Sequence, residues 1–513
     1  MAIHPLKAAR AAWQAAKPYM FGYHAVLDKH RRTAPRTRVQ SEDKELDVTD
    51  RRKLIATTQE ARRNFALAAW MIRHHLDFVS GFQFQALTPD EDFNRRLESL
   101  VRWRSRATNC DITGRHRLDR FVRLMESSRT VDGDVGVIML RDGRLQAIEG
   151  DRIAKPTGGG LPGELRGVPL THGIQLSKVG RPLRYCICNR KETGTESSAG
   201  GTDLVFSKLV PAKNFRLIGY FDRFDQWRGI SPLASAVTTL QDTYETFEYV
   251  RIKQKLHALM GVFFKREVGA AGDGFNYTDP DTGDDTDGST DRYEFDLKNG
   301  LIKVEGDPGD SVEMFESKTP SGEFISYSQL MVRIALLALD IPYTFYDAAG
   351  ATYSAQRQNL ITYMKSVRAK QADLREFLRD MSAWDIARWA KLPGDDGRPM
   401  LELPDVRVNG KSFTLKPREI EYEWISDGVP WIDPLKEVQA DGLAVSYGFR
   451  TRDDVCRERY GTRYADVVDR LGKEEQSATI ASATIAIGQP GQVTTRDEEK
   501  GNEANATDSG GQD

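Results

Sequence analysis

One unusually long helix constrains this chain more than any other feature of its sequence. The run Gly229-Ile230-Ser231-Pro232-Leu233 supplies a favourable N-cap serine, followed by a proline at the first helical position, where its missing N–H would be unpaired in any case. A helical pattern continues from there to about Met260, and about thirty residues at about 1.5 Å each extend about 45 Å. Apolar residues at alternating steps of four and three form a seam suited to a neighbouring helix: Leu233, Val237, Leu240, Tyr244 and Phe247.

A strand-and-loop insert and then two more helical stretches follow this helix. Residues 262–320 are predicted to form a strand-and-loop insert, and Phe324–Leu339 a helix that is broken before Pro342. A small-residue loop then precedes a long charged helix from Ala355 to about Lys391. Long helices joined through a β insert indicate an elongated subunit that needs neighbours to cover its apolar seams.

The N-terminal half is predicted to be of the α+β class. Apolar spacing predicts one long helix over residues 50–80 and shorter helices over 93–106 and 118–127. An Asp-Gly turn at Asp142-Gly143 between two apolar runs predicts a β-hairpin, and short strands are expected over 183–188, 204–210 and 215–218.

The C-terminal part is predicted to contain a short β segment and small helices, followed by a polar tail. The β segment covers residues 406–415, and the three helices cover 434–445, 451–460 and 465–471. Residues 474–513 are rich in Ser, Ala, Thr, Gly, Gln and Asp and are expected to be disordered.

The nearly balanced net charge argues against a protein that binds nucleic acid generally and tightly along its length. The chain has 73 basic and 75 acidic residues and a formal net charge of −2, whereas a tight general binder of polyanions is usually far more basic. The N-terminal arm is locally basic, with Arg31, Arg32, Arg36 and Arg38 near its end. Two interpretations stay open for this arm: a solvated, partly disordered terminus, or a segment that contacts phosphates or an acidic partner.

Catalytic motifs are absent from the sequence, so no enzyme activity, cofactor or metal is predicted. There is no HExxH, GxSxG or Rossmann glycine pattern, and Gly410-Lys411-Ser412 lacks the upstream glycine of a phosphate-binding loop. The aspartate-rich stretch over 273–291 places Asp285 and Asp287 at two ligand positions of a calcium loop but puts Gly283 at the first. The sequence contains no run of about 18 apolar residues, so no membrane-spanning helix is predicted. The four cysteines do not have the spacing of a zinc site or a redox pair, which favours free thiols in a reducing compartment.

A set of ordered motifs resembles the portal protein of tailed bacteriophages, specifically the lambda-like portal family. The most specific is Asp225-Gln226-Trp227-Arg228-Gly229-Ile230-Ser231-Pro232-Leu233. The others are Arg62-Arg63-Asn64 before Ala68-Ala69, Asp132-Gly133-Asp134-Val135, Ile341-Pro342-Tyr343 followed by Thr352-Tyr353-Ser354, and Trp431-Ile432-Asp433-Pro434 with Lys436-Glu437 and Ala440. Together they cover roughly residues 50–470.

This resemblance implies a virion protein that forms a ring, usually of twelve copies, at one capsid vertex. Double-stranded DNA would enter and leave through the axial channel. The implied partners are further copies of the chain, the large subunit of the terminase motor, the major capsid and scaffold or protease proteins, and the head-completion adaptor proteins. Assembly would take place in the host cytoplasm, with no membrane involved.

The resemblance also implies a division of the chain into parts. These are a basic arm (1–49), an α+β wing (50–228), a first stem helix (229–261), a clip with the acidic loop (262–320), a second stem helix (321–341), a tunnel loop (342–354), a long helix toward the crown (355–400), a wing return with a helical crown region (401–473) and a tail (474–513). The tunnel loop would present Asp347, Ala348, Ala349, Gly350 and Thr352 to the DNA, and the apolar seam would contact a neighbouring subunit.

Two other functions are kept as alternatives. One is a head-to-tail connector or scaffold without a through-channel, and the other is a metal-dependent hydrolase that uses the aspartate-rich loop. The alternatives differ in observables, because only a ring has a central hole and only the hydrolase requires Asp285 and Asp287.

Overall fold

The computed structural model describes residues 40–158, 162–192, 202–259, 263–266, 310–313, 322–394, 397–408, 411–428 and 434–480. Within these residues the chain mixes helices and sheets, as the α+β prediction requires. It divides into two compact units: residues 1–80 with 105–377, and residues 81–104 with 378–513.

The first unit begins with helices. They are α1 (Glu42–Glu45), α2 (Val48–Asn64), α3 (Ala66–Val79), α5 (Ala107–Cys110) and α6 (Leu118–Asp132). The prediction of one helix over residues 50–80 is wrong at Phe65, whose extended backbone (φ −105°, ψ 110°) separates α2 from α3. The Phe65 ring stacks on Tyr244, with ring centroids 4.4 Å apart. This long-range contact does not register in local apolar spacing.

Two three-stranded antiparallel sheets follow the first helices of this unit. Their strands are β2 (Asp134–Met139), β3 (Leu145–Glu149), β4 (Ile174–Leu176), β5 (Pro182–Glu192), β6 (Thr202–Pro211) and β7 (Phe215–Gly219), in the orders β3-β2-β7 and β4-β5-β6. The predicted hairpin is confirmed, with Val135 opposite Glu149 and Met139 opposite Leu145. All six residues of β2 are buried, so this central strand is covered on both faces.

One hydrophobic core joins the two sheets. It contains Ile138 and Ile148 from the first sheet and Tyr185 and Ile187 from the second. The Tyr185 and Phe215 rings stack with centroids 4.2 Å apart. A smaller cluster buries the free thiols Cys186 and Cys188 on one face of β5, as the period of two predicts.

The long helices belong mainly to the first unit. A 3₁₀ turn at Pro232–Ser235 precedes α7 (Val237–Leu259), and the Ser231 hydroxyl accepts from the Leu233 N–H, which confirms the predicted cap. The antiparallel strand pair β8 (Phe263–Arg266) and β9 (Asp310–Glu313) lies between α7 and α8 (Gly322–Leu336) in the sequence. A 3₁₀ turn at Leu337–Leu339, a four-residue helix α9 (Tyr343–Tyr346) and the 37-residue α10 (Tyr353–Trp389) follow.

The second unit contains helices and two antiparallel strand pairs. Its elements are β1 (Phe82–Ala86), α4 (Glu91–Arg104), β10 (Asp405–Val408), β11 (Lys411–Thr414), β12 (Tyr422–Ser426), α11 (Pro434–Ser446), α12 (Arg452–Tyr460) and α13 (Tyr464–Ile480). Strand β1 pairs with β12 although they are far apart in sequence, with Phe82 opposite Ser426. Trp424 of β12 donates its indole N–H to the Ser382 hydroxyl at 3.0 Å.

The structure corrects two predictions, and two other predicted segments lie outside the described residues. Helix α13 continues to Ile480, so residues 474–480 are helical rather than part of a disordered tail. One described segment, Gly322–Leu339, is apolar and long enough by composition to cross a membrane, with 22% of it buried, whereas the sequence predicted none. The basic arm with Arg31, Arg32, Arg36 and Arg38, and the aspartate-rich stretch with Asp285 and Asp287, lie outside the described residues.

Candidate functional site

The predicted tunnel-loop residues lie together in a tight turn between α9 and α10. The Asp347 carboxylate accepts from the Ala349 N–H at 2.9 Å, and the Ala351 N–H donates to the Ala348 carbonyl at 3.2 Å. Gly350 adopts a positive φ of 73°, which glycine tolerates at no steric cost. Ala348, Ala349, Gly350 and Thr352 are exposed, and Asp347 is half-buried. The turn therefore presents small side chains and one carboxylate to solvent.

Each residue of the short helix α9, which immediately precedes this turn, has a partner on another helix. The Arg333 guanidinium of α8 lies over the Tyr343 ring, 4.5 Å from its centroid, and the Asn359 amide of α10 donates to the Thr344 hydroxyl at 3.0 Å. Phe345 packs edge-on against Tyr363 of α10, with ring centroids 5.4 Å apart, and Tyr346 packs edge-on against Trp70 of α3 at 5.7 Å. A four-residue helix is not stable alone, so these contacts hold α9 and position the turn.

An aromatic cluster on α3, α9 and α10 provides most of this support. We use the term for Trp70, His74, Phe78, Phe345, Tyr346 and Tyr363. His74 is its centre, with ring centroids 4.9 Å from Trp70, 5.1 Å from Phe78, 5.3 Å from Phe345 and 6.3 Å from Tyr363. Burial lowers the pKa of His74, with a small opposing effect of Asp77. The neutral imidazole therefore acts here as one more aromatic ring.

The corner between α8 and α9 is fixed by Asp340, a non-glycine residue in the left-handed region with φ 60°. Its carboxylate accepts from the Ser366 hydroxyl at 2.5 Å and from the Lys370 ammonium at 2.9 Å, both on α10. Lys370 also donates to the Leu339 carbonyl at 3.1 Å. Non-glycine residues adopt this backbone conformation uncommonly, although aspartate does so more readily than most. The contacts with α10 hold the turn toward α9 in place.

A buried ionic network lies on the other side of α3. The His75 imidazole and the Tyr220 hydroxyl both donate to Glu126 Oε1, at 2.7 and 2.9 Å, and Arg129 pairs with Glu126 at 2.7 Å. Burial by itself would raise the pKa of Glu126, but the charge of Arg129 and the hydrogen bond from His75 lower it to about 2. Arg129 also donates to Asp373 of α10 at 2.9 Å. The network therefore connects α3, α6, the end of β7 and α10.

The Asp225–Leu233 motif has a defined structural role that sequence reasoning did not assign. The Arg228 guanidinium pairs with Asp134 at 2.7 and 2.9 Å and donates to the carbonyls of Gly150, Ile153 and His172. Asp134 also accepts from Arg51 at 2.9 Å and from the Gly229 N–H at 2.8 Å. Burial would raise the pKa of Asp134, but the charges of Arg228 and Arg51 lower it. Three parts of the chain, namely α2, β2 and the segment directly before the long helix, therefore meet at one carboxylate.

Two glycines make this meeting possible. A Cβ on Gly229 would overlap the Gly133 carbonyl oxygen, and a Cβ on Gly133 would lie 2.5 Å from the Gly229 carbonyl oxygen. Gly133 also has a positive φ of 94°. The backbones of Asp132-Gly133-Asp134 and Arg228-Gly229-Ile230, which belong to two of the portal-like motifs, are thus in direct contact. The sequence motifs indicated these residues, but they did not indicate which residues contact one another.

The predicted oligomer seam is divided by the structure. Leu233, Val237 and Leu240 are completely buried within the chain. They have no surface to offer a second copy, so the prediction of a continuous intersubunit seam needs revision there. Tyr244 stacks on Phe65 and its hydroxyl accepts from the Leu67 N–H at 3.1 Å, whereas Phe247 is 39% exposed. Only the distal end of the seam remains accessible.

Among the residues that the structure describes, no group of three or more His, Cys, Asp or Glu side chains is arranged to hold a metal ion. The buried carboxylates identified above are instead paired with arginine or histidine. Their chemistry is that of structural ion pairs, because each has a charged neighbour within hydrogen-bond distance.

Comparison with known proteins identifies a structural component of phage particles. The family model described as "Phage portal protein, lambda family" matches residues 29–371, about two thirds of the chain. The chain belongs to the lambda family of phage portal proteins. This confirms the resemblance and the prediction that the chain is not an enzyme, so the metal-dependent hydrolase alternative is wrong.

One similar sequence and two solved assemblies add context. A probable portal protein of Halomonas phage phiHAP-1 is 22% identical over 407 residues, covering 75% of this chain and 71% of that protein. A chain in the virion of a native gene transfer agent particle is 13% identical, with a TM-score of 0.42, over 80% of this chain and 98% of that chain. A chain in the neck of the native particle, computed with C12 symmetry, is 14% identical, with a TM-score of 0.43, over 78% of this chain and 92% of that chain.

Proposed function

We propose that copies of this chain close into a ring at one capsid vertex and that double-stranded DNA passes along the ring axis during packaging and ejection. Membership of the lambda portal family is the observation that carries this proposal. On this proposal α7 and α8 belong to the stem, residues 262–320 to the clip and the α+β region over 50–228 to the wing. The clip would dock the terminase large subunit and later the head-completion proteins, while the outer surface would meet the capsid and scaffold proteins.

The turn at Asp347–Thr352 is the proposed DNA-facing surface. Duplex DNA carries about one phosphate per 1.7 Å of axis, so a channel rich in Lys and Arg would retain it through counterion release. The turn instead exposes two alanines, a glycine and a threonine beside one carboxylate. The contacts of α9 and Asp340 hold the turn in place, so it can border a moving duplex without being dragged along with it.

The experiment adds positive charge to this turn. In Ala348→Lys/Ala349→Lys rings, we expect slower packaging and a slowing that weakens as salt rises, because each new phosphate contact adds about 0.9 to the salt exponent of binding. Ala348→Gln/Ala349→Gln is the matched control of similar length without charge. Both positions are exposed, and neither needs a positive φ, unlike Gly350.

Packaging velocity would be measured in a defined motor assay at two ionic strengths. Equal velocities and equal salt dependence for the lysine and glutamine variants would contradict a DNA-facing role for the turn. Electron-microscopy class averages of the wild-type protein test the ring itself. A solid particle without a central hole would favour the connector or scaffold without a through-channel.

A further inference from the structure

The loop that follows β7 holds an aromatic side chain out in solvent. Phe224 is fully exposed and Phe221 is 45% exposed. The turn between β4 and β5 lies against the same loop, since Gly180 closely contacts the Trp227 ring, and it adds Val179 at 88% exposed. We call Phe221–Asp225 the aromatic loop. It presents apolar surface that the described part of the chain does not cover.

The shape of the aromatic loop is fixed from within by Gln226, which is buried. Its side-chain oxygen accepts from the Asp222 N–H at 2.9 Å, and its amide donates to the carbonyls of Tyr220 and Arg228 at 3.0 and 2.8 Å. The Gln226 N–H also donates to the Arg223 carbonyl, which closes the turn that contains Phe224. The turn therefore holds the Phe224 ring away from the core.

The N-terminal arm enters the first unit beside this loop. Arg223, the neighbour of Phe224, donates to the Gln40 carbonyl and to the Glu42 carboxylate, both at 3.1 Å. Gln40 is the first residue that the structure describes, so residues 1–39 start from the aromatic loop. Residues 28–39 extend at most about 40 Å at about 3.3 Å each, so the stretch before them can reach every side of the loop.

The sequence of the arm matches this surface in both apolar character and charge. Its second quarter and middle concentrate large apolar side chains: Trp13, Tyr19, Met20, Phe21, Tyr23, Val26 and Leu27. Its end concentrates positive charge: Lys29, Arg31, Arg32, Arg36 and Arg38. The basic stretch lies nearest in sequence to Gln40, and the apolar stretch precedes it.

Carboxylates gather at the point where the arm enters. Burial raises the pKa of Asp43 to about 6, and the nearby charges of Asp225 and Glu42 raise it as well, whereas a backbone hydrogen bond from Trp227 lowers it. Asp222 is exposed on the aromatic loop itself. Arginines at the end of the arm would offset this accumulation of negative charge.

We propose that the N-terminal arm of this chain docks on its own aromatic loop, with apolar side chains of residues 19–27 against Phe224 and the arginines over 31–38 beside the carboxylates. The tether favours the arm over other occupants. A short flexible connection gives an effective concentration of about 1 mM, far above that of a second copy at micromolar concentration, so even a weak contact is mostly formed. The docked arm covers Phe224 and gives the basic stretch an acidic protein partner in place of DNA phosphates. The inference does not depend on the proposed ring.

Photo-crosslinking tests which segment covers the loop. The probe is p-benzoylphenylalanine in place of Phe224, in full-length protein mixed from unlabelled and ¹⁵N-labelled subunits. Mass spectrometry is expected to find cross-links to residues 13–27 of the same copy, which carry one isotope label only. The same probe in place of Tyr249, which is 69% exposed on α7, is the control and is expected to capture no arm residue. Cross-links only between copies, or none to the arm, would overturn the inference and leave the ring proposal untouched.

Trypsin cleavage within residues 29–38 provides a second measurement. Phe224→Ser changes a fully exposed side chain, so the thermal transition is expected to stay at its wild-type value. Its initial cleavage rate is expected to rise by at least about threefold, because the arm loses its apolar contact. Tyr249→Ser is the control and is expected to be cleaved at the wild-type rate. Equal rates in Phe224→Ser and wild type, or protection of the arm that appears only when duplex DNA is added, would overturn the inference.

Discussion

Replacing Asp134 by Asn is expected to destabilise the first unit more than any change of similar size at its surface. Asp134 is completely buried and accepts from Arg228 at 2.7 and 2.9 Å, from Arg51 at 2.9 Å and from the Gly229 N–H at 2.8 Å. Asparagine keeps the shape of the side chain and removes its charge. Two guanidinium groups with 4% and 7% side-chain exposure would then lose their shared carboxylate.

The size of the effect follows from that burial. Removing one partner of a buried ion pair typically costs about 3–5 kcal/mol, because the remaining charge stays uncompensated. At about 2–4 °C per kcal/mol, the midpoint of thermal unfolding should fall by about 10 °C. Because Arg228 keeps its contacts with three carbonyl groups, we expect the lower end of the energy range.

The pH dependence provides an independent check with a definite sign. The arginine charges lower the pKa of Asp134 in the folded state below its unfolded value. The stabilisation that they provide is therefore present above the unfolded pKa of about 4 and is lost as pH falls through the folded pKa. The difference in unfolding free energy between wild type and Asp134→Asn should accordingly be constant from pH 6 to 8 and diminish in strong acid.

The assay is denaturant and thermal unfolding of the monomeric subunit, followed by circular dichroism and tryptophan fluorescence. Asp119→Asn makes the same chemical change on the surface of the first unit, at a side chain that is 62% exposed and pairs with the exposed Arg117, so it should alter the unfolding free energy by less than about 1 kcal/mol. A loss of under 1 kcal/mol in Asp134→Asn would refute the assignment of this carboxylate as the junction between strand β2 and the segment before α7.

Two further predictions concern a buried carboxyl group and the support of the loop. Burial, with added repulsion from Glu149 and Asp151, raises the pKa of Asp132 to about 6, so the unfolding free energy of the wild type should fall by about 2–3 kcal/mol as pH rises from 4 to 7. Asp132→Asn should remove this contribution in urea titrations, while leaving that of Asp43, whose pKa burial also raises to about 6, and should be more stable than wild type at pH 8; an unchanged pH profile would contradict the prediction. His74→Ala should increase amide hydrogen exchange of residues 343–352 several-fold, since it removes the central ring of the aromatic cluster. His74→Phe should restore protection and the control His116→Ala should leave it unchanged, whereas equal exchange in His74→Ala and wild type would show that the cluster does not hold the loop.

Local signals predicted the parts of the fold that depend on neighbouring residues. The Asp142-Gly143 turn fixed the hairpin of β2 and β3, and Ser231-Pro232 fixed the start of the helical segment before α7. These signals work because a turn or a cap is made by residues close together in sequence. The resemblance supplied the family, and the family model confirmed it.

Contacts between distant residues could not be predicted in the same way. Asp134 and Arg228 are separated by 94 positions, and nothing in either local pattern indicates that they pair. The helix break at Phe65 likewise depends on Tyr244, far along the chain. The periodic apolar residues that begin at Leu233 correctly predicted a covered helix face. Periodicity does not show whether the same chain or a second copy covers that face.

The adjacent residues His74 and His75 show what this organisation does for the proposed channel. Neighbours on a helix point about 100° apart, and the structure uses this difference to send one ring into the aromatic cluster and the other to Glu126. Helix α3 therefore contacts the aromatic cluster that supports the turn through His74. Through His75 it contacts the buried ionic network that includes residues of α6 and α10. A force applied to the turn at Asp347–Thr352 reaches α3 through α9, and α3 cannot shift without disturbing a buried ion pair. The small turn is consequently supported by the interior of the first unit, as the proposed contact with a moving duplex would require.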